Sequence, residues 1–117
     1  MSYDYMLAKA STGGDMEAFS ESAATHIIGP IQSLKAAINS LFPSVQWRQS
    51  TAKRPDGTVG LSWFGLQGPP EFHLMVEANG DVRTITMSHC ERTEVERVTR
   101  ELGLAAFDMQ SLEVFGG

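Results

Sequence analysis

One cysteine stands beside a histidine in this chain, which is a pairing that nucleophilic catalysis uses. Cys90 is the single cysteine and follows His89 directly, where the sequence enters its last long helical pattern. A thiol at a helix N-terminus can have a lowered pKa, because the helix dipole favours the thiolate. Neighbouring strand residues point to opposite faces, however, so His89 is badly placed to act as a base for Cys90. We therefore expect a buried, unreactive Cys90 that is dispensable for function.

The three histidines show no metal-ligand spacing. His26, His73 and His89 are far apart, and neither Cys-x-x-Cys nor His-Glu-x-x-His occurs. A site made from all three would have to be assembled by the fold alone. The sequence therefore predicts no metal and no other cofactor, and His73 is expected to be an ordinary surface histidine.

The glycines do not predict a phosphate site. Gly13 and Gly14 precede Asp15 at the start of a helical pattern, where successive backbone N–H groups can form an anion-binding nest. An acidic residue there repels phosphate, so Asp15 is interpreted as a helix cap. Walker and dinucleotide glycine patterns are absent from the sequence. No catalytic residues are assigned.

Aromatic residues give the best candidate for a recognition surface. Trp47 and Trp63 lie on neighbouring predicted strands, and Phe64 points away from the face that Trp63 occupies. If helices cover one sheet face, one of Trp63 and Phe64 lies on the wetter face. With Arg48 and the loop over residues 65–70, that aromatic is expected to bind a protein partner, because aromatics and Arg are enriched in binding hot spots. The alternative is an aromatic that shields a sheet edge.

Composition and charge narrow the class of partner. The 117 residues include nine Lys and Arg against fourteen Asp and Glu, giving a net charge of −5, which argues against nucleic acid or an anionic membrane. The acidic balance suits a basic protein partner. Between acidic ends lie only the bases Lys35, Arg48, Lys53 and Arg54, which indicates a locally basic surface or an ordinary solvated loop.

Length and cysteine usage predict a single domain over residues 1–117 in a reducing compartment. The chain is near the commonest domain size, and 42% of it is hydrophobic. A lone cysteine cannot form an internal disulfide. We find no signal-peptide pattern and no apolar run near the ~20 residues that span a bilayer. A cytoplasmic location is expected.

The strongest local pattern is a hairpin around Asn79-Gly80. Asn-Gly between alternating apolar runs is typical of a two-residue type I′ turn, in which both residues have positive φ. Ala78 then pairs with Asp81, and counting back from the turn fixes the remaining pairs. The apolar face should carry Val76/Arg83, Leu74/Ile85 and Phe72/Met87, and the other face Met75/Thr84 and His73/Thr86.

The other elements follow from periodicity and punctuation. Strands are predicted over residues 3–7, 45–49, 59–63 and 112–115, with a break at 11–14 and a turn at 54–57. A short helix should follow Asp15, and a core helix should run from Pro30 to Pro43. The last helix should begin near Ser88 or Thr93, each with a Glu three residues later, and end at Gly103.

This order of elements predicts an α+β fold. We expect a two-layer sandwich with a mainly antiparallel sheet of four to six strands and two or three helices on one face. A ferredoxin-like variant is the nearest named architecture.

The C-terminal segment resembles small bacterial proteins of the polymorphic-toxin immunity type. Those proteins pair a helix ending in Leu-Gly with a short apolar strand, Asp-x-Gln and a final apolar strand. The matching residues here are Leu102, Gly103, Ala105, Ala106, Phe107, Asp108, Gln110 and Val114. The resemblance implies a protein that binds and neutralises a toxin domain, without catalytic residues.

Two functions from different classes remain open at this point. The first is a non-catalytic binding module that acts on a protein partner, with Trp47, Arg48, Trp63 and Phe64 as the candidate contact residues. The second is a small enzyme or ligand-binding protein that uses a cleft near Cys90, His89 or His73, since catalytic groups need only meet in space. The sequence leaves the oligomeric state open.

Overall fold

The computed structural model describes residues 4–10, 15–53, 57, 59–67, 70–77 and 79–116. Several expectations therefore lie outside the described residues. They are the start of the first strand at Tyr3, the break at 11–14, most of the turn at 54–57, positions 68 and 69 of the candidate binding loop, and the Ala78/Asp81 pair.

The described ranges form eight strands and three helices, which confirms the α+β class. In chain order they are β1 (Tyr5–Ala8), α1 (Met16–Thr25), β2 (Gly29–Pro30), α2 (Ile31–Leu41), β3 (Gln46–Lys53), β4 (Val59–Leu66), β5 (Glu71–Val76), β6 (Asp81–Ser88), α3 (Arg92–Leu102), β7 (Ala105–Asp108) and β8 (Val114–Gly116). All pairings are antiparallel, and the strand order is β3-β4-β5-β6-β1-β7-β8, with β2 also on β6.

Two details of the sheet differ from expectation. The sheet has eight strands instead of four to six, because the pattern did not separate out the short strands β2 and β7. Four consecutive strands lie between α2 and α3, whereas the ferredoxin-like order β-α-β-β-α-β places two there. The connectivity of the molecule is therefore not ferredoxin-like.

Helices lie on both faces of the sheet, although one face was expected. Tyr5 and Leu7 of β1 belong to the main core, together with α2 and α3. Ala8 and its neighbour Met6 pack in a second cluster with Phe19 of α1. Alternate strand residues point to opposite faces, so α1 lies across the sheet from α2 and α3. We call the side under α2 and α3 the helix face and the opposite side the second face.

The position of α1 follows from an interrupted strand. β1 and β2 both pair antiparallel with β6, β1 through Tyr5 opposite Met87 and β2 through Gly29 opposite Val82. β1 and β2 therefore lie on the same side of β6, one after the other along its length. α1 is part of the connection between them. α1 covers the second face near β1, and the second face of β3, β4 and β5 has no helix over it. We call that uncovered area the open face.

The helix ends follow capping rules. The carboxylate of Asp15 accepts a hydrogen bond from the N–H of Ala18 at 2.9 Å, as expected for a cap. α3 begins at Arg92, next to Thr93 as predicted, but its cap is Glu91, which forms a capping box with Glu94, so the predicted capping residues Ser88 and Thr93 are wrong. A Glu can fill the cap position that the rule reserves for Ser or Thr. Gly103 ends α3 with φ 66°, as predicted.

The predicted type of hairpin turn is wrong, but the strands beyond the turn are paired in the predicted register. The N–H of Glu77 donates to the carbonyl of Asp81, and the N–H of Gly80 donates to Glu77, which closes a three-residue loop. Gly80 has φ 90°, whereas Asn79 is not among the described residues with positive φ. These features are typical of a type I turn followed by a glycine bulge.

A bulge farther along the hairpin restores the register. Val76 pairs with Val82 instead of Arg83, and the register shifts between Leu74 and Val76. Beyond the shift, the predicted pairs Leu74/Ile85, His73/Thr86 and Phe72/Met87 are all present. The extra loop residue and the bulge therefore compensate each other, which is how a bulge acts in a ladder.

Candidate functional site

The open face carries a row of side chains from three neighbouring strands. Arg48 of β3 is opposite Phe64 of β4, and Phe64 is opposite His73 of β5. One step along, Ser62 of β4 is opposite Met75 of β5. Arg48 is exposed, Phe64 and His73 are half-buried, and Met75 is 46% exposed. An aromatic, a thioether and a guanidinium therefore share one accessible surface.

Phe64 and His73 form a flat stacked pair. Their ring centroids are 4.4 Å apart and the planes meet at 8°. Burial lowers the pKa of His73 below its usual value of 6.5, because desolvation disfavours the charged imidazolium. The imidazole is therefore neutral at pH 7 and extends the apolar surface of Phe64 toward β5.

Ser62 contributes an unsatisfied hydroxyl beneath this surface. The residue is 1% exposed, and its Oγ is the one buried side-chain N or O atom in the described ranges that lacks a hydrogen-bond partner. A buried hydroxyl without a partner costs about 1–3 kcal/mol. Packing alone gives no reason for a hydroxyl at this position.

The two tryptophans lie on the helix face and have structural partners. The ring of Trp63 is covered by Lys35 of α2, whose Nζ is 3.5 Å from the ring centroid. The Nε1 of Trp47 donates to Asn39 Oδ1 at 2.6 Å, and the Asn39 amide donates to the carbonyl of Val45 at 2.8 Å. Both tryptophans pack against the main core. Their polar atoms and ring faces are thus largely used within the domain.

The four residues predicted to bind a partner therefore divide between two faces. Arg48 and Phe64 meet on the open face as cross-strand neighbours, and Trp47 and Trp63 lie behind them on the helix face. The loop contributes Gln67 in a left-handed conformation, φ 65°, and a fully buried Pro70. The alternation of Trp63 and Phe64 indicated this division, but only the position of α2 shows which face is covered.

The hypothesis of a reactive cysteine is not supported by its surroundings. Cys90 is half-buried and packs against the main core. Burial raises the pKa of its thiol to about 12, and the nearby carboxylates of Glu94 and Asp4 raise it further. Burial therefore outweighs any lowering of the thiol pKa by the helix dipole, and Glu94 in the first turn of α3 acts in the same direction as burial.

The histidines do not gather around that thiol. His89 is exposed in a left-handed conformation, φ 52°, with its Nε2 3.0 Å from the Glu71 carboxylate. His73 lies on the open face, opposite Thr86 as predicted. In the described part of the chain, no three His, Cys, Asp or Glu residues are grouped as metal ligands.

A shallow pocket lies where α1 meets the β5–β6 hairpin. It has a volume of about 300 Å³ and is lined by Ile27, Glu77, Asn79 and Arg83. Arg83 donates to Glu77 at 2.8 Å and to the carbonyl of Ala24 at 2.9 Å, so its charge is used to hold the end of α1. The sequence pattern does not indicate this role of Arg83, because the role depends on the bulge next to it.

Charge is segregated along the sheet. No acidic residue occurs between Glu21 and Asp56. Arg48 and Lys53 on β3 are exposed and form no ion pair within the described ranges. At the other side of the open face, α1 and its cap carry acids and no base, namely Asp15, Glu17 and Glu21.

Comparisons of the chain with protein-family models, with curated protein sequences and with solved structures return no match. The described helices are all too short or too polar to cross a membrane.

Proposed function

We propose that this protein is a non-catalytic binding module that holds a protein partner against its open face. The observation that carries the proposal is the uncovered half-face of the sheet, on which Arg48, Phe64 and Met75 are accessible together. On the other face of β5, Phe72, Leu74 and Val76 are buried in the main core with α2 and α3. Aromatics and Arg are enriched in interface hot spots, and contiguous exposed apolar surface is typical of interaction sites.

The size of the open face suits the centre of an interface. Three strands about 4.8 Å apart and roughly 20 Å long present on the order of 300 Å². A stable interface buries about 800 Å² on each partner. A partner must therefore extend beyond the open face, over β3 on one side and over α1 on the other.

Charge defines what such a partner presents. It meets Arg48 on the open face, Lys53 where it extends past the edge of β3, and Asp15, Glu17 and Glu21 at the α1 side. The basic partner expected from net charge is thus refined to a partner with a basic region over α1 and an acidic region over β3. Complementary charges of this kind act on association rate and orientation more than on affinity.

The finer proposal is that the partner is a toxin domain and that binding neutralises it. This finer proposal is supported by the resemblance of the C-terminal segment to immunity proteins. The accessible open face and the neutral, unreactive thiol of Cys90 are consistent with a protein that binds a partner without catalysis. Such proteins act inside the bacterial cytoplasm, so a cytoplasmic location belongs to the same proposal.

Capture of the partner from the native host tests the proposal. Tagged protein, Phe64→Ala and Arg48→Ala are compared with Leu112→Ala, a change at an exposed residue before β8. We expect one protein to be retained by the parent chain and by Leu112→Ala. Phe64→Ala should weaken its binding about 30-fold or more, corresponding to roughly 2 kcal/mol.

Circular dichroism of each variant shows whether the domain is still folded. Retention of the partner by folded Phe64→Ala and Arg48→Ala would contradict the proposal. Where a toxin-like reading frame lies beside the gene, survival of cells that express both proteins tests neutralisation directly. Loss of protection in folded Phe64→Ala is the expected result.

The catalytic alternative depends on a reactive Cys90. With a pKa of about 12, the thiol is neutral at pH 7. We expect slow labelling by iodoacetamide at neutral pH, because the thiolate is the nucleophile. Cys90→Ser should keep partner binding. Rapid labelling at pH 7 would restore the enzyme hypothesis.

A further inference from the structure

β3 is an edge strand with an unoccupied side. In the described part of the chain it pairs only with β4, through all eight of its residues from Gln46 to Lys53. Asn39 of α2 holds its beginning through Trp47 and the carbonyl of Val45. The remaining length, residues 48–53, presents alternate backbone N–H and C=O groups outward, which is a template for a further strand.

The two charges of this edge stand on opposite faces of the strand. Arg48 lies on the open face, and Lys53, five residues later, lies on the helix-face side. Both are exposed, and neither has an acidic partner in the described ranges. The edge is therefore basic on both sides of the sheet.

A second copy of this chain does not fit the edge. Pairing β3 with β3 brings two Arg48 and two Lys53 side chains to one seam, and the segment Gln46–Lys53 contains no acid to offset them. Like charges on paired strands are destabilising. An occupant with acidic side chains removes this repulsion.

We propose that an extended, acidic segment of the partner protein adds to the free edge of β3 as a further strand. This inference rests on the proposed function and names the part of the partner that is recognised. Main-chain hydrogen bonds supply affinity in strand addition, and side chains on alternate faces supply specificity. The spacing of Arg48 and Lys53 selects a segment with two acidic residues five positions apart, one on each face of the sheet.

The net negative charge of the protein does not oppose this binding. The acid on β7, Asp108, is about five strand spacings from β3, or roughly 24 Å. The electrostatic screening length at physiological salt is only about 8 Å, so this charge has little effect at β3. The nearest described acids of the sheet are Glu71 on β5, which pairs with His89, and Glu77 directly after β5, which pairs with Arg83. An acidic segment at β3 therefore experiences mainly Arg48 and Lys53.

Synthetic peptides test the inference without knowledge of the partner. The probe is a fluorescein-labelled, Thr-rich ten-residue peptide with two Glu residues five positions apart. One control has Lys at those positions, and another has the two Glu residues four positions apart, which places both on one face. Fluorescence anisotropy measures affinity, and amide hydrogen exchange locates the bound peptide.

We expect the first peptide to bind about tenfold or more tightly than the Lys peptide, since only the Lys peptide adds like charge to the edge. It should also bind more tightly than the one-face peptide and should protect alternate amides of residues 48–53 from exchange. Lys53→Glu should abolish the preference for Glu. Equal affinity of the Glu and Lys peptides, no binding, or protection elsewhere would overturn the inference. Arg48 and Lys53 would then serve to prevent edge pairing.

The partner-capture assay distinguishes this inference from the proposed function. Lys53→Glu alters the edge and leaves the open face unchanged, because Lys53 lies on the helix-face side. A proline at whichever of Ser50 and Thr51 turns its N–H outward also removes a donor of the edge, and an edge strand accepts proline there. Phe64→Ala alters the open face alone. Loss of the partner in all folded variants supports both ideas. Loss with Phe64→Ala and retention by the edge variants overturns strand addition and leaves the binding module intact.

Discussion

The helix face and the open face are built from alternate residues of the same strands, yet they are used differently. Leu74 on the helix face is fully buried, and its neighbour Met75 on the open face is 46% exposed. Trp63 lies under Lys35, and its neighbour Phe64 stacks on His73 at the surface. One set of residues holds the domain together. The other set is left available by the fold, and this is where a binding function can be placed.

The open face also differs from the part of the second face under α1. There, Phe19 of α1 stacks on Phe107 of β7 with centroids 5.7 Å apart, and Ala8 and Ala105 are fully buried. The strands at that end, β1 and β7, have apolar residues on both faces, as is typical of strands that are covered on both faces. In β5, by contrast, buried Phe72, Leu74 and Val76 on the helix face alternate with His73 and Met75, which are accessible on the open face. A strand's pattern thus records whether a helix covers its second face.

The largest expected effect comes from adjacent residues of β5. Leu74→Ala should lower the free energy of unfolding by about 2–5 kcal/mol, because it leaves a cavity under the helices. Met75→Ala should change it by less than about 1 kcal/mol, since the side chain is half in solvent. Urea denaturation of both variants measures the difference. Equal midpoints would mean that the two faces do not differ as described.

Gly65 tests the packing of Trp47 on the helix face. A Cβ at Gly65 would lie 2.8 Å from Val45 Cγ1 and 3.0 Å from the Trp47 ring. We expect Gly65→Ala to cost about 1–3 kcal/mol through overpacking. Gly29→Ala is the matched control, because a Cβ there has no neighbour within 4 Å. Similar stability of the two variants in thermal unfolding would place Trp47 elsewhere.

A substitution at Ser62 on the open face should increase stability, whereas the substitutions at Leu74 and Gly65 decrease it. Ser62→Ala removes a buried hydroxyl that has no hydrogen-bond partner, so we expect a gain of about 1 kcal/mol in stability. Denaturation measures the gain, and the partner-capture assay measures its effect on binding. Lower stability in the variant would show that Oγ has a partner after all. Weaker binding at higher stability would show that the partner uses the hydroxyl.

The smallest effect is a pH dependence from His73. Its pKa in the native state is lowered by burial, so the unfolded state binds more protons as the pH falls. Stability should therefore be complete above pH ~6.5 and decrease below it, until the lowered native pKa is passed. Comparison with His73→Gln between pH 5 and pH 7.5 isolates this contribution. A parallel pH profile in the two proteins would contradict it.

Local rules predicted most of the elements but few of the relationships between them. The period of α2, the Asp15 cap, the Gly103 end of α3 and the hairpin pairs from Phe72 to Leu74 all depend on neighbours in sequence. The three-residue turn and the bulge could not be separated from a two-residue turn, because their register shifts cancel. The expected strand at 112–115 begins only at Val114, after Leu112, which has φ 60°.

The candidate site was predictable only in part for a related reason. Alternation placed Trp63 and Phe64 on opposite faces, and charge counting located the basic segment. Neither indicates that α1 leaves the sheet between β1 and β2 and covers only one end of the second face. That position decides why Phe64 and Arg48 are accessible. The edge position of β3 likewise depends on strand order, to which sequence patterns give no direct access.

The central claim is that a partner protein contacts the open face, and site-specific photo-crosslinking in the native host tests it most directly. Benzoylphenylalanine is placed at position 64 on the open face and, separately, at the exposed position 112. We predict a discrete, light-dependent adduct with one protein from position 64 and none from position 112. An adduct from position 112 with none from position 64, in a folded variant, would contradict the claim.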